Sequence, residues 1–139
     1  MDFIERIKDS VNSIDELPIN SNDNLPIQLR SGYPGTDESL VIYPLPGSTT
    51  TEEYMDGAKD VDMNYEIAMK SKDGDKLQQV LWLISEHLDK IKSVISQDDS
   101  FTFNKLKITS KPFISQFDEQ GWLVFLLDFT ANITIEGDL

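Results

Sequence analysis

The strongest periodic signal lies in residues 75–95, where Leu77, Val80, Leu81, Ile84, Leu88, Ile91 and Ile95 recur at steps of three and four. That spacing keeps one apolar stripe on a helix of 3.6 residues per turn, so it predicts a helix over 75–95. At 1.5 Å per residue it is about 30 Å long, enough to cross a small domain. Asp73 or Ser71 is placed to accept from the free N–H groups at its start, and Lys90 and Lys92 suit the negative end of its dipole. Trp82 points away from the stripe, beside Glu86 and Asp89. Such a Trp either packs on a local loop or marks a partner surface.

A shorter stripe of Phe3, Ile4, Ile7, Val11 and Ile14 predicts an amphipathic helix over 1–17, closed by Pro18. The run Asn20, Ser21, Asn22, Asp23 and Asn24 reads as a turn, and Leu25, Ile27 and Leu29 alternate as a short strand. Residues 39–45 are apolar enough for a strand that Pro44 and Pro46 end or confine to an edge. Residues 47–59 are polar and read as a long loop, in which Thr49, Thr50 and Thr51 before Glu52 and Glu53 can open a helical turn that tucks Tyr54 and Met55 onto the core.

Val61, Met63, Tyr65, Ile67 and Met69 alternate with Asp62, Asn64, Glu66 and Ala68, the pattern of a strand with one wet face. Residues 101–109 form another strand whose apolar positions switch parity between Phe103 and Leu106, which places a bulge at Asn104 or Lys105. Residues 112–120 read as a connection ending in the turn Asp118-Glu119-Gln120-Gly121. Residues 122–135 give the longest strand. One face carries Leu123, Phe125, Leu127, Phe129, Ala131, Ile133 and Ile135. The other face begins apolar with Trp122, Val124 and Leu126 and turns polar from Asp128 onward. An apolar end on both faces needs a second cover, either the first helix or another subunit. The order of elements predicts an α+β fold: a mostly antiparallel sheet with an N-terminal helix and a central long helix packed on it. A length of 139 residues suits a single domain over 1–139.

Net charge is −13, with −8 in residues 1–60 and −5 in residues 61–139. This favours solubility and disfavours phosphate gripping, which needs Lys and Arg. It suits a surface that nucleic acid passes without sticking. The chain has no cysteine and one histidine, which excludes disulfides and thiolate chemistry and leaves few ligands for a zinc site. No apolar run reaches the roughly 18 residues of a membrane span. Residues 1–15 lack a signal-peptide core, which predicts cytosolic synthesis.

No catalytic constellation is evident in the sequence. His87 flanks the apolar stripe with no acid–base partner set by sequence. Glu52-Glu53 and Asp118-Glu119 are adjacent carboxylates that point in different directions on a helix or strand, so neither makes a metal clamp. No phosphate-binding glycine loop and no G-x-S-x-G elbow occurs. No cofactor is expected, and a small hydrolase is the weakest reading.

Two stretches carry a resemblance. One is Tyr43-Pro44-Leu45-Pro46-Gly47-Ser48-Thr49 with Glu52-Glu53-Tyr54-Met55-Asp56-Gly57 and Tyr65-Glu66-Ile67-Ala68-Met69-Lys70-Ser71-Lys72. The other is Thr109-Ser110-Lys111-Pro112-Phe113 with Asp118-Glu119-Gln120-Gly121-Trp122 and the strand that follows. Over roughly residues 39–135 the chain resembles the minor capsid and tail-terminator-like proteins of long-tailed phages and prophages of Gram-positive bacteria. The resemblance implies a structural protein of the neck or tail, made in the host cytoplasm and ending in the virion. It implies a homo-oligomeric ring, a hexamer, that caps the tail tube protein and docks the head–tail connector protein while genome DNA passes the lumen. Ring subunits meet head to tail through two unlike surfaces. Tyr54, Met55, Trp82, Trp122, Val124 and Leu126 are the candidates for such surfaces. The competing reading is a monomeric binding module or assembly chaperone that acts transiently in virion assembly.

Overall fold

A computed structural model describes residues 2–20 and 24–136. Ser21, Asn22 and Asp23 of the expected turn lie outside the described residues. The chain runs α1 (Phe3–Asn12), β1 (Arg30–Ser31), β2 (Ser39–Pro44), β3 (Thr49–Glu53), β4 (Lys59–Ser71), α2 (Gly74–Asp89), β5 (Thr102–Phe117) and β6 (Leu123–Ile135). The fold is α+β, with a mixed six-stranded sheet in the order β1-β2-β4-β6-β5 and β3 beside β4. Only β1 and β2 run parallel; the other pairs are antiparallel.

Both helices cover one face of the sheet, the inner face. Alternation decides which residues meet them, because successive strand side chains point to opposite faces. Tyr65, Ile67 and Met69 of β4 and Leu127, Phe129, Ala131 and Ile133 of β6 are buried with Leu77, Val80, Leu81, Ile84 and Leu88 of α2. Phe3 of α1 stacks on Tyr65 at 5.2 Å and meets Phe101 edge-on at 5.3 Å, while Tyr65 stacks on Phe129 at 5.4 Å. His87 of α2 is hydrogen-bonded to Ser10 of α1 at 2.8 Å, and burial lowers its pKa. It joins the two helices.

Each of several sequence expectations meets a physical correction. The helix expected over 75–95 ends at Asp89, and Ile95 is 78% exposed. The segment beyond it is rich in β-branched residues and serine, which are weak helix formers. A competing network holds it. Ser96 donates to Asp2 at 2.7 Å, and Asp2 also accepts from the Gln97 N–H at 2.8 Å. The start is as expected: Asp73 accepts from Lys76 N–H at 3.1 Å. The first helix likewise stops at Asn12, before Pro18, because the Asn12 side chain turns to pair with both backbone groups of Leu29 at 2.7 and 3.2 Å. That pairing also replaces the strand expected over 25–29: Ile27 and Leu29 are buried, Leu25 is exposed, and the strand is only Arg30–Ser31.

The loop expected over 47–59 is mostly a β-hairpin. Threonine favours extended backbone, and Thr49 and Thr50 pair with Asp62 and Val61. The chain then reverses through Tyr54-Met55-Asp56-Gly57, where the Gly57 N–H donates to the Tyr54 carbonyl at 3.0 Å. Gly57 takes φ +88°, a left-handed value that glycine adopts without strain. Tyr54 and Met55 therefore stand at an exposed tip, away from the core. The connection expected over 112–120 is mostly strand as well, which makes β5 (16 residues), and not the β6 expected over 122–135 (13 residues), the longest strand. β5 runs through Pro112 to Phe117 because it is an edge strand, and Pro112 falls within a register shift between Ser110 and Phe113. A further shift between Phe103 and Lys105 places the expected bulge at Asn104, the first of its two candidate positions.

Candidate interaction surface

The outer face of the sheet carries no helix, and the side chains that alternate away from the core lie there. Cross-strand register sets them in rows: Asp60 opposite Thr134, Asp62 opposite Asn132, Asn64 opposite Thr130, Glu66 opposite Asp128, Ala68 opposite Leu126 and Lys70 opposite Val124. Opposed residues of an antiparallel pair share a face and touch.

At one end the rows form a polar ladder. Thr134 donates to Asp60 at 2.5 Å, Asn132 to Asp62 at 2.9 Å and Thr130 to Asn64 at 2.7 Å. Asn104 of β5 donates to Asn132 and Thr134, both at 2.9 Å. The Tyr54 hydroxyl donates to Asp60 at 2.8 Å, and this bond raises the Tyr54 pKa to about 12. The hydrogen bonds that Asp60 accepts from Thr134 and Tyr54 hold its carboxyl below the usual range. The ladder thus fastens the root of the hairpin and one residue of its tip. Met55 is left fully exposed, at 107% of its reference surface.

In the middle sits a carboxylate pair. Tyr43 donates a short hydrogen bond to Glu66, and burial together with Glu66 pushes the Tyr43 hydroxyl up. Asp128 lies across from Glu66, and its Oδ1 is buried without a partner among the described residues. Burial raises its pKa, the hydrogen bond and charge of Glu66 raise it further, and it reaches about 7.

At the other end lies a cleft of about 430 Å³, near the low end of the roughly 300–1,000 Å³ of ligand pockets. Half-buried Val124 and Leu126 line its floor above the fully buried Ala68. Tyr43 and Glu66 also line it, and its walls are Pro34-Gly35 on one side and Ser115-Gln116 on the other. Tyr33 braces the first wall by stacking on Tyr43 at 4.9 Å, and Lys70 donates to the Gly35 carbonyl at 3.1 Å. Lys70 and Lys72 place their ammonium groups 5.2 and 5.0 Å from the centre of the Trp122 ring, cation–π contacts at the cleft's edge. Phe113 stands opposite Leu126 and is exposed.

The six residues singled out from sequence therefore occupy three places. Tyr54 and Met55 share the hairpin tip. Val124 and Leu126 share the cleft with Trp122 at its edge, all three half-buried. Trp82 is apart from both, on the exposed side of α2, 42% exposed with Lys111 Nζ 5.6 Å from its ring centre. The first helix does not cover the Trp122 end, since it packs on the opposite face. Sequence reasoning missed Lys70 and Lys72 at Trp122 and the Glu66–Asp128 pair. Both need cross-strand register to be seen, although Asp56-Gly57 ahead of an alternating run was a hairpin signal.

Among the described residues, no cluster of three or more His, Cys, Asp or Glu side chains has the geometry of a metal site, and no helix is long and apolar enough to cross a membrane. The arrangement is one of surfaces: an arm, an open sheet face and a cleft. No curated protein matches the chain. A family model described as bacteriophage tail terminator protein matches residues 13–135, a span that takes in the hairpin, the cleft and all six strands. The match agrees with the resemblance carried by the residues around Tyr43 and Trp122, and it marks a structural protein of the phage tail. By that match over most of its length, the chain belongs to the bacteriophage tail terminator protein family.

Proposed function

We propose that the chain, acting as one domain over 1–139, forms a hexameric ring on the head-proximal end of the tail tube. The ring stops tube growth, offers a docking surface to the head–tail connector protein, and lets genome DNA pass. It performs no catalysis and needs no cofactor. The observation that carries this reading, beyond family membership, is the presence of two unlike exposed surfaces at opposite ends of one strand, the hairpin tip and the cleft. A head-to-tail ring requires two such surfaces, and a two-fold dimer does not. The net charge of −13 supports a lumen that does not retain DNA, because counterion release has few cations to work through.

The test is absolute mass by light scattering with negative-stain images, on the purified chain and on the chain mixed with tail tubes. The expected result is six times the 15.8 kDa subunit, as rings alone or as caps on tube ends. Phage lacking the protein should carry tails of uncontrolled length. A persistent monomer that is absent from purified virions refutes the ring and leaves the assembly-chaperone reading.

A further inference from the structure

The hairpin tip and the cleft are complementary as well as unlike. The tip presents Met55 flanked by Glu52, Glu53 and Asp56, all exposed. Among the described residues no lysine or arginine forms an ion pair with these acids. The cleft presents an apolar floor of Val124 and Leu126 next to Lys70 and Lys72, whose contacts are a carbonyl and the Trp122 ring, while Glu66, which also lines it, is held by the Tyr43 hydroxyl. In a chain of charge −13, the two lysines make the Trp122 end of the cleft locally basic, with Glu66 and Asp128 toward its other end. The hairpin joins β4 at Lys59 and the cleft lies at Lys70. At about 3.3 Å per strand residue the two are about 35 Å apart along one stiff strand. A tip therefore cannot enter its own cleft.

We infer that the β3–β4 hairpin tip of one copy seats in the outer cleft of the next copy. Met55 rests on the Val124–Leu126 floor, and the acids beside it face Lys70 and Lys72. This deepens the ring reading and rests on it: each copy gives a tip and receives one, so the contact propagates head to tail. Burying an exposed Met supplies the apolar contact, and the charges set orientation and salt sensitivity.

The absence of cysteine makes the test clean. Met55→Cys and Gln116→Cys place thiols on the tip and on the cleft wall, both at exposed positions. Under mild oxidation at high protein concentration, the double variant should give a covalent ladder that passes beyond the dimer, whereas each single variant stops at the dimer. Adding Lys72→Glu should lower the ladder several-fold, and adding Glu53→Lys to that protein should restore it. Rescue by the second charge change is a result that a merely misfolded variant cannot give. Light scattering that shows oligomers while no pair-specific ladder forms overturns the docking and leaves the ring. A monomer that gives no ladder either alone up to the solubility limit or with tail tubes, and that is absent from purified virions, overturns both.

Discussion

Replacing Asp128 by Asn should stabilise the protein, and only above mildly acidic pH. The side chain faces Glu66 across β4 and β6, is half-buried, and has one oxygen buried without a partner among the described residues. Burial, then the hydrogen bond and charge of Glu66, raise its pKa from 3.8 to about 7. The folded chain therefore keeps a proton that the unfolded chain has already lost between about pH 4 and pH 7. Stability falls as pH rises through that window, is fully retained below it, and is level above it. A displacement of that size corresponds to about 4 kcal/mol at about 1.4 kcal/mol per pKa unit. Asp128 is only partly shielded, so solvent screening reduces this to about 1–2 kcal/mol. Asparagine keeps the shape, removes the charge, and brings an amide that can donate to Glu66. Urea denaturation followed by tryptophan fluorescence should show D128N more stable than the parent by about 1–2 kcal/mol near pH 8, with the gap closing toward pH 4. A gap that does not change with pH, or a less stable D128N at pH 8, would refute the raised pKa and the crowding of carboxylates behind it.

Three further substitutions test the core, the helix start and the surface. Phe3→Ala removes a ring that is 1% exposed and touches both Tyr65 and Phe101, and should cost about 3–5 kcal/mol in the same urea experiment; a loss under 1 kcal/mol would mean that α1 is not docked on the sheet. Asp73→Ala deletes the cap that accepts from Lys76 N–H and should cost about 1 kcal/mol, read as a lower Tm. Trp82→Ala should cost about 1 kcal/mol or less, because the ring is partly exposed and its cation–π contact with Lys111 is to an exposed lysine. A loss comparable to that of Phe3→Ala would place Trp82 among the residues that hold the monomer together.

Sequence alone determined that both helices exist and which of their faces is buried, the strands β4 and β6 with their buried face, and the first half of β5. These follow from periods of 3.6 and 2, which depend only on the local backbone and on which side water lies. Sequence also determined the Asp118–Gly121 turn and narrowed the helix cap to Asp73 or Ser71 and the bulge to Asn104 or Lys105, between which the structure selects Asp73 and Asn104. The resemblance to tail terminators was likewise written in the chain, in the residues around Tyr43 and Trp122, and the family match over 13–135 agrees with it.

Tertiary structure decided where elements stop and what stands beside what. The helix ends at Asp89 because Ser96 and Gln97 bind Asp2, some 95 residues away. β5 continues through Pro112 because it is an edge strand, and edge position is a property of the whole sheet. Residues 49–53 became a strand because β4 offered them a free edge at Asp60, Val61 and Asp62. The surface features depend on the same long-range pairing. Glu66 meets Asp128, and Lys70 and Lys72 meet Trp122, only through the register of β4 against β6. A one-residue slip would send every one of these side chains to the other face. Local sequence chooses the face on which a side chain lies, and strand register chooses its neighbour. In this chain the arm, the carboxylate pair and the cleft are products of register.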